Sequence, residues 1–353
     1  MGIMNYNWKL SETTFTKDKG KVFSCFSCGG GSSFGYKLAG FDVIGHNDID
    51  PKMIEVYKEN HKPKFSFHES ITTFAKRKDL PKELYNLDIL DGSPPCSSFS
   101  MAGNREKDWG KEKKFREGQE LQVLDTLFFD FIDLANELKP KVVVAENVKG
   151  LLLGAAKEYV IKIYKAFDEA GYTCQHFLLN ASKTGVPQRR ERVFFIALRK
   201  DLAPKFMQYV DMFTELPKLD LEFNEKEILF KEFRSKKGIE NKTERQKLMF
   251  EHFIYGDKDI SDINIRINNK NSGFNANIIY DNEIVNTIDS KGEKYRAFDK
   301  LHFTKEDFIL AGSYPIDYNF LKTRPSYLIG MSVPPLMTGK IAEQIYKQWL
   351  SKL

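Results

Sequence analysis

The sequence predicts an α/β fold: a mostly parallel, doubly wound sheet of Rossmann type, with a smaller domain of irregular and β character. Three observations carry this. An apolar strand runs into a glycine loop and a helix near the N-terminus. Strands then alternate with helices from Lys21 to Leu198, the pattern of a sheet with helices on both faces. After Asp201 the composition shifts to Asn, Lys, Asp and Ile, and periodicity fades. The expected domains are an arm over 1–20, a nucleotide-binding domain over 21–202, a second domain over 203–322, and a closing segment over 323–353.

Lys21–Ser27 reads as a buried strand leading into Cys28-Gly-Gly-Gly-Ser-Ser and a helical stretch, Phe34–Ala39. Glycines let a ligand approach the backbone, and a helix start offers free N–H groups. A second strand, Phe41–His46, ends in Asn47-Asp48-Ile49-Asp50. Asp48 thus falls about twenty residues after the loop, where a ribose-binding acid is expected. Pro51–Asn60 is a helix capped by Asp50. Phe65–Ile71 is a short strand ending in Glu69-Ser70-Ile71, and Asp88–Leu90 a fourth strand opening onto Ser93-Pro-Pro-Cys96. Trp109–Gly118 is a charged loop, and Leu121–Leu138 has helical apolar spacing. Lys141–Ala145 is β-branched, as in a strand buried on both faces, and ends in Glu146-Asn147-Val148. Helix Lys157–Ala170 and strand Thr173–Asn180 follow. Gln188-Arg189-Arg190-Glu191-Arg192 feeds a last strand, Arg192–Leu198. Pro335–Leu353 is amphipathic, with Ile341, Ile345 and Trp349 at helical spacing.

Composition narrows the class. The 353 residues are 41% hydrophobic and 29% charged, enough for a sizeable core under a polar surface. No run approaches the roughly 20 apolar residues that cross a bilayer, and Met1–Gly20 has no apolar signal region, so a cytoplasmic protein without a membrane partner is expected. A net charge of +5 is compatible with a polyanion partner without requiring one. Four cysteines are too few for a disulfide scaffold. Cys25-x-x-Cys28 has no second pair to complete a metal site, so no metal is expected.

Reactive residues recur at strand ends: Cys96, Glu146 and the Arg190/Arg192 pair. In an open α/β sheet, ligands bind at that edge. A cysteine alone is more often a buried apolar residue, a glutamate a cap, and an arginine pair a surface cluster. Their joint placement favours chemistry. Arginines raise the thiolate fraction of a thiol whose pKa is about 8.5. A glutamate at an apolar strand end can hold its proton and donate it. A thiolate attacking an electron-poor ring needs such a donor, which describes covalent catalysis on a pyrimidine.

These residues resemble those of the cytosine-C5 DNA methyltransferases of bacterial and phage restriction–modification systems. Phe26-Ser-Cys-Gly-Gly-Gly matches the cofactor loop and Gly92-Ser-Pro-Pro-Cys-Ser-Ser-Phe-Ser the nucleophile loop. Glu146-Asn-Val-Lys-Gly, Gln188-Arg-Arg-Glu-Arg and Gly330-Met-Ser-Val-Pro-Pro match later motifs in the family's order. The resemblance implies a class I methyltransferase fold using S-adenosylmethionine, with S-adenosylhomocysteine as product and a target-recognition domain over 203–322. Cys96 would add to C6 of a flipped-out cytosine, Glu146 would bond its N3 edge, and Arg192 with Arg190 would hold the O2 side. Phe26, Ser27, Gly29, Gly30, Gly31, Asp48, Ile49, Glu69, Ser70, Ile71, Pro94, Leu127, Ser332 and Val333 would bind the cofactor. Cys28 replaces a family glycine, and Ser70 stands where an aspartate is usual. Duplex DNA is the implied partner of a monomer, with a restriction endonuclease in the same system but not bound to it. Two alternatives are the same chemistry on tRNA and a non-catalytic DNA-binding homologue; a nicotinamide-dependent oxidoreductase leaves Cys96 and Glu146 without a task.

Overall fold

Seven strands form one sheet in a computed structural model. It describes residues 4–95, 112–113, 122–123, 126–154, 156–209, 211–212, 214–241, 243–271, 276–291 and 293–353. The strands are β1 (Lys21–Cys25), β2 (Asp42–Asp48), β3 (Phe65–His68), β4 (Ile89–Gly92), β5 (Val142–Val148), β6 (Tyr172–Asn180) and β7 (Glu191–Arg199). Their order is β3-β2-β1-β4-β5-β7-β6. The first five are parallel, and β7 runs antiparallel to both β5 and β6. The mostly parallel sheet is therefore as expected, with one reversed strand near the edge. The predicted strand over Phe65–Ile71 stops at His68, because Ser70 accepts a hydrogen bond from the Thr73 amide and starts a helical turn, Ile71–Phe74.

The central strands are apolar for a physical reason: helices cover the sheet. Helix α1 (Gly31–Leu38), α2 (Pro51–His61), α3 (Ile71–Phe74), α4 (Leu127–Leu138) and α5 (Ala156–Glu169) connect them. Phe23, Leu90, Val143, Phe131, Phe128, Ile163 and Phe195 belong to one buried cluster. Asp50 caps α2 by accepting from the Lys52 and Met53 amides.

The chain divides into two units. One is the sheet unit, Thr14–Asn180, Glu191–Phe223 and Met337–Leu353. The other comprises Met1–Thr13, Ala181–Arg190 and Asn224–Leu336. In the latter, helices Glu244–Glu251 and Ile260–Asn268 pack with Ile278 and Tyr295 around their own small core. Helices Lys305–Ala311 and Pro325–Met331 follow, and Gln188–Arg189 pairs in parallel with Val285–Asn286. No helix among the described residues is long and apolar enough to cross a membrane.

Candidate active site

The strand order reverses at β1. Strands β2 and β3 lie on one side of it, β4 and β5 on the other, so a crevice opens beyond the carboxyl ends of β1 and β4. Register makes this concrete. Asn47, Cys25, Gly92 and Ala145 stand side by side across β2, β1, β4 and β5. The residues one step further, Asp48, Phe26, Ser93 and Glu146, therefore fall in one row, where β1 and β4 have ended while Asp48 still pairs with β3 and Glu146 with β7. Residues remote in sequence meet there because the parallel strands hold one register.

The loop after β1 is held in an uncommon conformation. Phe26 and Cys28 both have left-handed backbones, with φ of 51° and 48°. Each costs a non-glycine residue about 1 kcal/mol. Cys28 takes the conformation that glycine adopts freely, so this departure from the family pattern is tolerated at the expense of local strain. Gly30, with φ +79°, is required: a Cβ there would meet the His61 ring at 2.1 Å. The Cys28 amide donates to Asp48 Oδ2 at 2.7 Å and the Asp50 amide to Asp48 Oδ1 at 2.8 Å. Ser27 Oγ pairs with His46 Nδ1 at 2.8 Å.

Asp48 thus braces the loop at the strand end with carboxylate oxygens, acceptors of the kind that ribose hydroxyls donate to. Ile49 follows, half-buried, its carbonyl 3.1 Å from His68 Nε2. At the end of β3, Glu69 is salt-bridged to Arg77 at 2.7 Å and Ser70 is engaged as the cap of α3. Ile71 and Leu127 are buried in the core. Phe26 packs tilted against Phe131, whose ring also lies over Gly92, 2.6 Å from where a Cβ would stand. Only glycine lets α4 approach the strand so closely.

Cys96 lies outside the described residues. Just before it in the sequence, the Pro94 carbonyl accepts from Asn147 Nδ2 at 3.1 Å. Asn147 Oδ1 in turn accepts the Val148 amide. Beside it Glu146 Oε1 is 2.9 Å from Arg192 Nε, with side chains only 12% and 15% exposed. Arg192 Nη1 donates to the Glu191 carbonyl at 2.7 Å. Burial lowers the arginine's pKa while Glu146 opposes that, the mark of a guanidinium kept from water by its partner. A buried pair of this kind can offer a planar ring both an acceptor and a donor.

Arg190 belongs to the other unit, where it donates to the carbonyls of Ile288 at 2.9 Å and Gly330 at 3.1 Å. Ser332 and Val333 also lie there, buried, with Ser332 Oγ donating to the Leu328 carbonyl. Sequence reasoning gave no role to Asn147 or to Asp91. Asp91 is buried in β4 and accepts from Ser24 Oγ, Ser32 Oγ and Tyr36. Burial raises its pKa to about 6, against the pull of those three hydroxyls. The signal was an aspartate inside an apolar strand, a placement that needs partners.

A fold with this strand order and these loops defines the methyltransferase class. The profile of the C-5 cytosine-specific DNA methylases matches residues 20–347, and the chain belongs to that family. Among curated relatives, the type II methyltransferase M.FnuDI of Fusobacterium nucleatum is 38% identical over 182 residues, 52% of this chain and 48% of that protein. M.NgoPII of Neisseria gonorrhoeae is 37% identical over 190 residues, 53% and 50% of the two. The chain thus spans about half the length of the curated relatives it matches. A solved structure described as a DNA modification methyltransferase encoded within an E. coli prophage shares the fold. It covers 93% of this chain and 99% of its own, with a TM-score of 0.63 and 20% identity.

Proposed function

We propose that the chain methylates C5 of a cytosine in a specific duplex DNA sequence, with S-adenosylmethionine as donor. One observation carries the reading. A buried Glu146–Arg192 pair stands next to Asn147, which holds Pro94, two residues before Cys96 in the sequence. Bound S-adenosylmethionine would supply an electrophilic methyl group, seated by Phe26, the glycine loop and Asp48.

The chain's own residues supply the rest. The Cys96 thiolate adds to C6 of the ring, pushing the electron pair toward C5, which then acts as a nucleophile. Glu146 bonds the N3 edge, where charge develops, and Arg192 holds the O2 side. Once C5 is methylated, loss of its proton returns the electrons and expels the thiolate. The base must leave the stack, since C5 and C6 cannot be attacked in the duplex. On this reading a monomer acts on DNA in the cytoplasm, and the region 203–322 contributes target recognition.

The test uses duplex DNA carrying 5-fluorocytosine at the target, located beforehand by bisulfite sequencing of DNA from an expressing host. Wild type should form an adduct stable to SDS. Cys96→Ser should bind the DNA without forming one, and an unchanged adduct in that variant would falsify the assignment.

A further inference from the structure

We infer that Asp91 is a positioning residue for the methyl-donor loop, fastening both of its ends to strand β4. This rests on the reading of residues 26–30 as the donor site. Ser24 stands two residues before that loop, and Ser32 and Tyr36 follow it on α1. All three hydroxyls converge on one carboxylate: Ser24 Oγ to Oδ2 at 2.7 Å, Ser32 Oγ to Oδ2 at 2.8 Å, and Tyr36 to Oδ1 at 3.1 Å.

The loop between these anchors needs holding. Phe26 and Cys28 are left-handed without being glycine, a backbone state that persists only when its surroundings over-determine it. Asp48 pins the loop at its middle through the Cys28 amide, and Ser27 is tied to His46. On the flanks, Ser33 accepts from the Tyr57 hydroxyl at 2.8 Å, and Asp91 alone gathers donors from both sides of the loop among the described hydrogen bonds. An apolar side chain would fill β4 as well, for the neighbouring Leu90 does so. A carboxylate buried among hydroxyls instead fixes direction: each donor must point at it, so the last residues of β1 and the first turn of α1 are set relative to one another. That spacing decides where the loop amides point.

The experiment compares wild type with Asp91→Ala, Asp91→Asn and Ile163→Ala, the last a core truncation on α5 that matches a loss of thermal stability without touching the loop. S-adenosylmethionine affinity is measured by calorimetry, amide exchange at Cys28 and Gly30 by NMR, and methyl transfer at saturating donor. Asp91→Ala should weaken donor binding at least tenfold and speed exchange at both amides at least tenfold. Its kcat should stay within threefold, and Asp91→Asn should recover most of the affinity. Ile163→Ala should leave affinity and exchange within twofold. Unchanged exchange in Asp91→Ala overturns the inference, as does an equal change in Ile163→Ala. If wild type binds no donor while Asp91→Ala still speeds exchange, the functional reading of the loop fails and the clamp stands.

Discussion

Glu146 and Arg192 show how two motif residues become one device. Strands β5 and β7 pair Val148 with Arg192 and Glu146 with Phe194, so the acid and the arginine are diagonal neighbours on one face. Removing one partner leaves a buried charge unmet. Arg192→Met should cost about 3 kcal/mol of stability. Adding Glu146→Gln to that variant should recover most of it, and urea melts of the four proteins in a double-mutant cycle would show whether it does. Every variant in the cycle should lose roughly 100-fold or more in methyl transfer. Both residues were legible in the sequence because each sits in a short, specific motif. The partners of Arg190 were not, since the carbonyls of Ile288 and Gly330 lie 98 and 140 residues away.

At the scale of elements, one row of polar residues runs across the sheet: half-buried Ser66 on β3, then buried His46 on β2, Ser24 on β1 and Asp91 on β4. His46 stacks on Tyr57 with ring centroids 3.6 Å apart and bonds Ser27 and Ser66. Burial, then the charge of Lys58, pushes its pKa down to about 3, and His61 lies in the same stack. Its stabilising effect is complete above the ordinary imidazole value and is lost as pH falls toward 3. Asp91, facing Cys25, Tyr36, Tyr57 and Glu146, is pushed the other way, to about 6. Its contribution is present at low pH and lost as pH rises through 6. Between pH 7 and 5, wild type should therefore lose about 2 kcal/mol relative to His46→Gln and gain about 1 kcal/mol relative to Asp91→Asn. Chemical denaturation at the two pH values reads both differences, and parallel curves would refute the assignment. The strands themselves were readable from β-branched runs. The reversal of β7 was not, because alternation and apolarity look the same in either direction.

At the scale of the whole molecule, the sheet unit is closed by residues far from the strands in sequence. Ile341, Ala342, Ile345 and Trp349 are wholly buried. Trp349 Nε1 donates to the Lys218 carbonyl at 2.7 Å, and Gln348 bonds the Asp220 backbone through both its amide atoms. The amphipathic spacing was visible in the sequence, but nothing in it named the 218–220 stretch as the partner, which is an irregular segment without periodicity. Burying four such side chains contributes on the order of 10 kcal/mol, as much as a typical domain's entire stability. A chain ending at Leu336 should therefore fail to unfold cooperatively and should expose apolar surface to a hydrophobic dye. Trp349→Ala removes one side chain of that set and should cost about 3–5 kcal/mol, leaving a folded protein with a lower urea midpoint. If the truncated chain melts in a single sharp transition like the full protein, the sheet unit closes without residues 337–353.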